Sequence, residues 1–472
     1  MRLTSALTLL GVIAATLAAC VPASAALAQV AGQAGAAEID ILHQSVEIAP
    51  FAGEHELSGR QTLTFVVKVA GDRLRFAGGP LDIRSMTLDG RPLTGWRVGD
   101  GGVEIDLGRT ATAGSRHALG LIYQAAPGRG FNRSDALAYS GYFACDWMLC
   151  NQSDLADRFT ADVAITAPAG MRTLGPGDRV STEAAGEGLE VHRWRTREAF
   201  PAYVHAFAVG RLETVDVSGA CAARLDVWTS APADSVAPLF GETCAMLEYL
   251  EKRAGVPLPG GRYSQLYVPE RFEAQEAISH SILGGSAVEA VLQDTTEDWA
   301  VPHELAHQWW GNRITARDLS QFWLNEGVVT FLVATWKERR WGPEAYAREI
   351  GLLRDRWTRC RNEWRDVPMT YAEPYPSLGM RRCFQYSKAA VFLHELRALM
   401  GEEAFWMGFR AYTAANMGRA VQSSDFQSAM QQATSIDLTP MFTGWVHGEG
   451  AGPGTGPLWG EQHQMSDARK PA

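Results

Sequence analysis

Between residues 38 and 217 apolar side chains come in short runs that alternate with polar ones. Gln61-Thr62-Leu63-Thr64-Phe65-Val66-Val67 and Val103-Glu104-Ile105-Asp106-Leu107 both show the two-residue period of a strand with one face in a core and one in water. Asp89-Gly90 and Asp100-Gly101-Gly102 punctuate the runs as hairpin turns. No long helical period occurs, so an all-β sandwich or saddle is expected for residues 38–217. From residue 218 the period lengthens. Strand-like pieces remain at Arg224-Leu225-Asp226-Val227-Trp228 and Gln265-Leu266-Tyr267-Val268. Helices are expected over 234–254, where Val236, Leu239, Met246, Leu247 and Leu250 are spaced roughly helically. Others follow at 319–340, 343–363, 387–400, 402–417, 424–434 and 440–446, with Gly401 as a helix stop. A second, mainly helical α+β domain is therefore expected over 218–447, followed by a Gly- and Pro-rich tail, 448–472, of disordered type.

The first 28 residues read differently. Arg2 precedes an apolar run, 7–19, too short to span a bilayer. Leu17-Ala18-Ala19-Cys20 then has the form of a lipobox, in which Cys20 would carry lipid. Ala23-Ser24-Ala25 and Ala26-Leu27-Ala28 offer ordinary leader cleavage instead. Residues 29–37 are a small, featureless linker. Setting Cys20 aside leaves six cysteines, an even number suited to disulfides in an exported chain. Nearness in sequence favours Cys145 with Cys150, Cys221 with Cys244, and Cys360 with Cys383. The formal charge of -10 argues against nucleic acid and offers no basic patch for anionic membranes. Membrane attachment is expected only through an N-terminal lipid.

The chemistry concentrates in His303-Glu304-Leu305-Ala306-His307. On a helix two histidines four residues apart sit about 40° apart around the axis, so both imidazoles face one way. Pro302 falls in the first turn of that helix, where proline is tolerated. Eighteen residues separate His307 from Glu326, room for a turn and a second helix to return a carboxylate. Two imidazoles and one carboxylate, with a fourth position left open to water, form the ligand set of a catalytic zinc site. Glu304 lies on the flank of the metal face, suited to act as general base. Alone, such a short string also arises by chance in unrelated helices.

The surroundings carry more. His307 runs into Gln308-Trp309-Trp310-Gly311-Asn312, Glu326 lies in Leu324-Asn325-Glu326-Gly327, and Tyr386-Ser387-Lys388 stands sixty residues after Glu326. Together these motifs resemble the aminopeptidase N family of zinc metallopeptidases, which includes leukotriene hydrolase-like enzymes. The resemblance covers nearly all of residues 39–447. It implies an N-terminal β-domain, a thermolysin-like α+β catalytic domain, one zinc held by His303, His307 and Glu326, and peptide substrates. It gives Tyr386 the role of oxyanion donor and makes Glu276, in Glu273-Ala274-Gln275-Glu276-Ala277, the holder of the substrate's α-ammonium. The family's Gly, Met and Asn around that glutamate are here Glu273, Gln275 and Ala277, and the bland alternative is a solvated glutamate before a strand. Residues 278–282 are expected as the sheet edge that follows. Asp135 is the nearest candidate for a second acidic anchor from the β-domain. Trp309, Trp310 and Trp323 read as packing around the zinc helices. Larger members continue into a helical domain over the active site. The pattern here ends near Trp445-Val446, so a short form with a more open cleft is expected. A zinc aminopeptidase is the leading function. A zinc endopeptidase, or a catalytically silent peptide-binding protein, are the alternatives.

The leader makes a checkable statement. The mature protein is expected as a lipoprotein facing a bacterial periplasm, its N-terminus a lipid-modified Cys20. Mass spectrometry of that terminus decides it, since an unmodified chain beginning at Ala26 or Gln29 would refute lipidation.

Overall fold

A computed structural model describes residues 38–448, apart from 54–55, 80, 100, 153 and 271–273. The leader, Cys20, the linker, Glu273 and residues 449–472 lie outside the described residues. The N-terminal half is β-rich and not a closed barrel. Its main sheet runs in the order Asp178–Gly186, Leu189–Arg195, Arg158–Pro168, Glu38–Ala49, Leu57–Val69, Arg116–Ala125, Asp82–Leu88, Arg91–Leu93, with Phe200–Pro201 pairing at Arg158–Phe159. Neighbours are antiparallel except Glu38–Ala49 with Arg158–Pro168. Along Leu57–Val69 the inward set is Leu57, Gly59, Gln61, Leu63, Phe65 and Val67, the alternation visible in the sequence. Asp89 and Gly90, both at positive φ, make the two-residue turn between Asp82–Leu88 and Arg91–Leu93.

The second half opens with a five-stranded sheet, ordered Glu213–Thr214, Leu225–Thr229, Tyr263–Val268, His280–Gly284, Ala274–Ala277. The three inner strands are parallel and both edges antiparallel. The expectation that residues 278–282 form the edge is corrected. His280–Gly284 lies inside the sheet, and the strand bearing Glu276 is the edge. A tight turn causes the reversal. It passes through Ile278 and Ser279, and Ser279 adopts a positive φ of 64°. The single helix expected over 234–254 is two, Ala233–Phe240 and Thr243–Ala254. Pro238, lacking an N–H, and Gly241 at the junction interrupt the ladder. Helix Gly285–Gln293 had no clear sequence signal. It buries only Ala287, Val288 and Val291 and has no side-chain cap.

The helical core gathers around Trp323–Trp341, in which every residue from Trp323 to Val329 is buried. Against it packs Arg382–Lys388, a π-helical segment that continues into helix Ala389–Met400. The approach is close at Gly327. A Cβ there would collide with the Ala389 Cβ and press on the Gln385 carbonyl. Glycine at this position lets the helix bearing Glu326 lie against the segment bearing Tyr386. Three disulfides close the fold, Cys145–Cys150, Cys221–Cys244 and Cys360–Cys383, with Cα separations of 5.1, 5.4 and 6.3 Å. Gly327→Ala should therefore destabilise by about 1–3 kcal/mol through overpacking. A thermal midpoint equal to that of the parent would show that the two segments can separate without cost.

Candidate active site

Helix Ala300–Ala306 is short and wholly buried, with Pro302 in its first turn. His303 and Glu304 project from it, and His307 follows its last residue with helical backbone. Glu326 lies in the first turn of Trp323–Trp341. The two helices meet so that Glu326 Oε2 is 3.4 Å from His303 Nε2 and 3.5 Å from His307 Nε2. One ligand atom from each of the three residues falls within 4.8 Å of the others, all buried.

The loops around these helices fix the imidazole of His307. Its Nδ1–H donates to the Trp310 carbonyl at 2.8 Å, which leaves the Nε2 lone pair for a metal. Gly311 makes this bond possible. Its φ is +125°, and a Cβ there would stand 2.5 Å from His307 Nδ1. The two segments that carry these candidate ligands are tied through the β-domain. The Tyr203 hydroxyl donates to the Gly311 carbonyl at 2.9 Å and accepts from Asn325 Nδ2 at 2.9 Å. Asn325 Oδ1 accepts in turn from the Ala316 N–H at 2.8 Å. Each buried tryptophan near the motif finds a partner for its indole N–H: Trp309 the Val256 carbonyl, Trp310 Thr413, and Trp323 Ser423. These rings pack the scaffold and do not line the centre.

Glu276 is buried on the edge strand and accepts from Gln275 Nε2 at 2.9 Å. Gln308 and Asn312, which continue the histidine motif, both donate to the Ala277 carbonyl, at 3.1 and 2.8 Å. They hold this strand beside the metal donors. Carboxylate oxygens of Glu276 and Glu304 and a nitrogen of His307 form a second close group within 4.8 Å. Burial pushes the Glu276 carboxyl up and the Glu326 charge adds to this, against an opposing pull from His307. Burial disfavours charge on His307, but the carboxylates of Glu326, Glu276 and Glu304 outweigh it and raise its pKa. The imidazoles win over burial at Glu326 and hold it ionised. Three buried carboxylates against two imidazoles leave negative charge in excess, and a divalent cation neutralises such a cluster. The borderline nitrogen and hard oxygen donors suit zinc.

Tyr386 stacks on His303, ring centroids 6.3 Å apart and planes 7° apart. Its hydroxyl lies in hydrogen-bond reach of Glu326, and burial, then Glu326 and Glu276, push its pKa far up. It is a donor at any ordinary pH. Three anchors hold its segment: the Cys360–Cys383 bridge, Gln385, whose amide donates to the Leu319 carbonyl at 2.7 Å, and Lys388, whose buried ammonium bonds Asp366 at 2.9 Å and the Val367 carbonyl at 2.7 Å. Sequence reasoning missed Tyr142 and Arg382. Tyr142 comes from the β-domain and feels Glu276 and Glu326; no local pattern marks it. Arg382 acts on both His303 and Tyr386, and its place four residues before Tyr386 was the available signal. Asp135 was the candidate second anchor. It is exposed in the turn between Phe131–Arg133 and Leu137–Ser140, and Tyr142 is what the β-domain brings towards the carboxylates.

Residues 240–445 match the peptidase family M1 domain. This stretch of the chain carries a peptidase family M1 domain. Aminopeptidase N of Escherichia coli is 22% identical over 405 residues, covering 80% of this chain and 45% of that protein. Leukotriene A-4 hydrolase of Xenopus laevis is 24% identical over 316 residues, covering 63% and 50%. The chain thus spans half or less of the length of these curated relatives. The M1 zinc metallopeptidase of Deinococcus radiodurans superposes with a TM-score of 0.71 at 24% identity, covering 88% of this chain and 95% of that one. A mutant of that protein has been solved with a Tyr-Ser-Ala substrate bound. The fold shared with that structure is a β-rich N-terminal domain followed by a mainly helical one.

Gly311→Ala should displace His307 and weaken metal binding by about 10–100-fold, the range for losing an outer-shell partner. Competition with a chelator measures it. A variant that retains zinc as strongly as the parent would show that the Trp310 carbonyl does not set the imidazole.

Proposed function

We propose that the chain is a zinc aminopeptidase that removes single residues from the free N-terminus of peptides, with one zinc per chain. The observation that carries this reading is the place of Glu276, a buried carboxylate on the sheet edge within the ligand cluster around His307. His303, His307 and Glu326 would hold the metal. When bound, zinc supplies a Lewis acid that acidifies water and polarises a carbonyl.

The side chains divide the remaining work. Glu304, next to His303 and buried, takes the proton of the attacking water and delivers it to the leaving amine. Tyr386 donates a hydrogen bond to the oxygen that gains charge as the carbonyl carbon becomes tetrahedral. Glu276 accepts the α-ammonium in a charge-assisted bond. That bond removes the cost of burying its own charge and sets the register at the first residue. A zinc endopeptidase remains the second reading, favoured by the substitution of the residues flanking Glu276. A silent peptide-binding protein would need no base, and Glu304 argues against it.

The setting we propose is an oxidising compartment outside the cytoplasm, most simply the periplasm, with a lipid on Cys20. The three disulfide pairs support export.

Aminoacyl peptides with a free N-terminus should be cleaved, and their acetylated forms should not. Glu276→Ala should raise KM for the free peptide and abolish the discrimination. Tyr386→Phe should lower kcat by about 10²–10³, as for loss of one oxyanion donor, with little change in KM. Glu304→Gln should keep zinc and lose nearly all turnover. Internal cleavage of acetylated peptides at the rate of free ones would transfer the assignment to an endopeptidase.

A further inference from the structure

A cavity of about 620 Å³ lies where the β-domain meets the catalytic domain. None of His303, Glu304, His307, Glu326, Glu276 or Tyr386 lines it. Its volume is that of an ordinary small-molecule site, which spans roughly 300–1,000 Å³.

The charges on its wall do not balance. Three carboxylates line it, and each is spent on an arginine. Asp178 takes Arg197 at 2.6 Å, Asp226 takes Arg262 at 2.8 Å, and Glu198 pairs with Arg313. Arg172 and Arg179 also line the cavity and make no ion pair with any described residue. Five arginines against three carboxylates leave an excess of two positive charges, in a chain whose formal net charge is -10. A concave wall with a net excess of one sign concentrates its field on what enters. Guanidinium groups, with donors in a fixed fork, match carboxylate and phosphate oxygens in pairs.

The rest of the wall is aromatic. Trp194, Trp228 and Phe200 face the same space, and the Arg172 guanidinium stands 5.3 Å from the Trp228 ring centre. The floor is the turn behind Glu276. The Ser279 hydroxyl donates to the Gly177 carbonyl at 2.8 Å, and its N–H donates to Gln308 Oε1 at 3.1 Å. Ser279 is one of three non-glycine residues at positive φ among the described residues, a conformation that persists only where its surroundings enforce it.

We propose that this cavity is a second ligand site, separate from the metal centre, that takes an organic anion: a carboxylate or phosphate between Arg172 and Arg179, joined to a flat apolar body that lies along Trp228 and Trp194. Its occupant rests on the backbone turn from which Glu276 is presented.

Calorimetric titration of the full-length, zinc-loaded protein tests this with naphthyl phosphate and naphthoate as the phosphate and carboxylate arms and naphthol as the neutral control. At least one anion should bind saturably, about ten-fold or more tighter than naphthol. The arm that binds tighter names the acid group. Both arginines are exposed, so the Arg172→Ala/Arg179→Ala variant should fold and keep its peptide hydrolysis, while its affinity for the anion falls about ten-fold or more. No saturable binding, equal binding of naphthol, or anion binding that survives the double substitution would overturn the proposal. The last result would place the anion on the zinc instead. Because the readout is binding, it stands or falls apart from the peptidase assignment.

Discussion

Three carboxylates, those of Glu276, Glu304 and Glu326, share one buried space with two imidazoles. Like charges at such distances repel strongly where the dielectric is low, so the fold cannot leave these side chains to find their own positions. A cation at the centre resolves the repulsion. It does so only if the donors are already held, because they come from three separate stretches of chain. The short helix Ala300–Ala306 and the residue after it bring His303, Glu304 and His307, the start of Trp323–Trp341 brings Glu326, and the sheet edge brings Glu276.

The holding is done by neutral hydrogen bonds and one close approach. Tyr203 binds the loop after His307 to the residue before Glu326. Gln308 and Asn312 fasten the edge strand to the histidine motif through a single carbonyl. Gly327 lets Trp323–Trp341 and the π-helical segment touch. Each bond contributes only about 1 kcal/mol net, but breaking one leaves a buried polar group without a partner, which costs more. The β-domain is therefore part of the active site's frame. Its residue Tyr203 stands at the joint between the loop after His307 and the helix bearing Glu326, and Tyr142 feels the carboxylates of Glu276 and Glu326.

How much of this was legible follows from distance along the chain. His303, Glu304 and His307 could be read from helical geometry alone, since one turn of helix decides their facing. Glu326 needed only the length of a loop. Tyr386 and Glu276 were reachable through a resemblance, because nothing in the sixty residues after Glu326, or in the strand Ala274–Ala277, marks its own partner. Tyr142 and Tyr203 were not legible. Their roles arise from contacts across the domain boundary, and an isolated tyrosine carries no period. The alternation in Leu57–Val69 gave that strand its inward face directly. The break between Ala233–Phe240 and Thr243–Ala254 was visible as Pro238 and Gly241, but the apolar spacing on either side masked it.

The bridge between Cys360 and Cys383 has a consequence beyond stability. It joins helix Pro343–Glu363 to the π-helical segment only three residues before Tyr386. The phenol that faces Glu326 is therefore positioned partly by an oxidation state. Reduction would remove that tether and leave the segment held by Lys388 and by Gln385, whose side-chain amide donates to the Leu319 carbonyl at 2.7 Å. Thiol chemistry would then act on the place of this phenol beside Glu326.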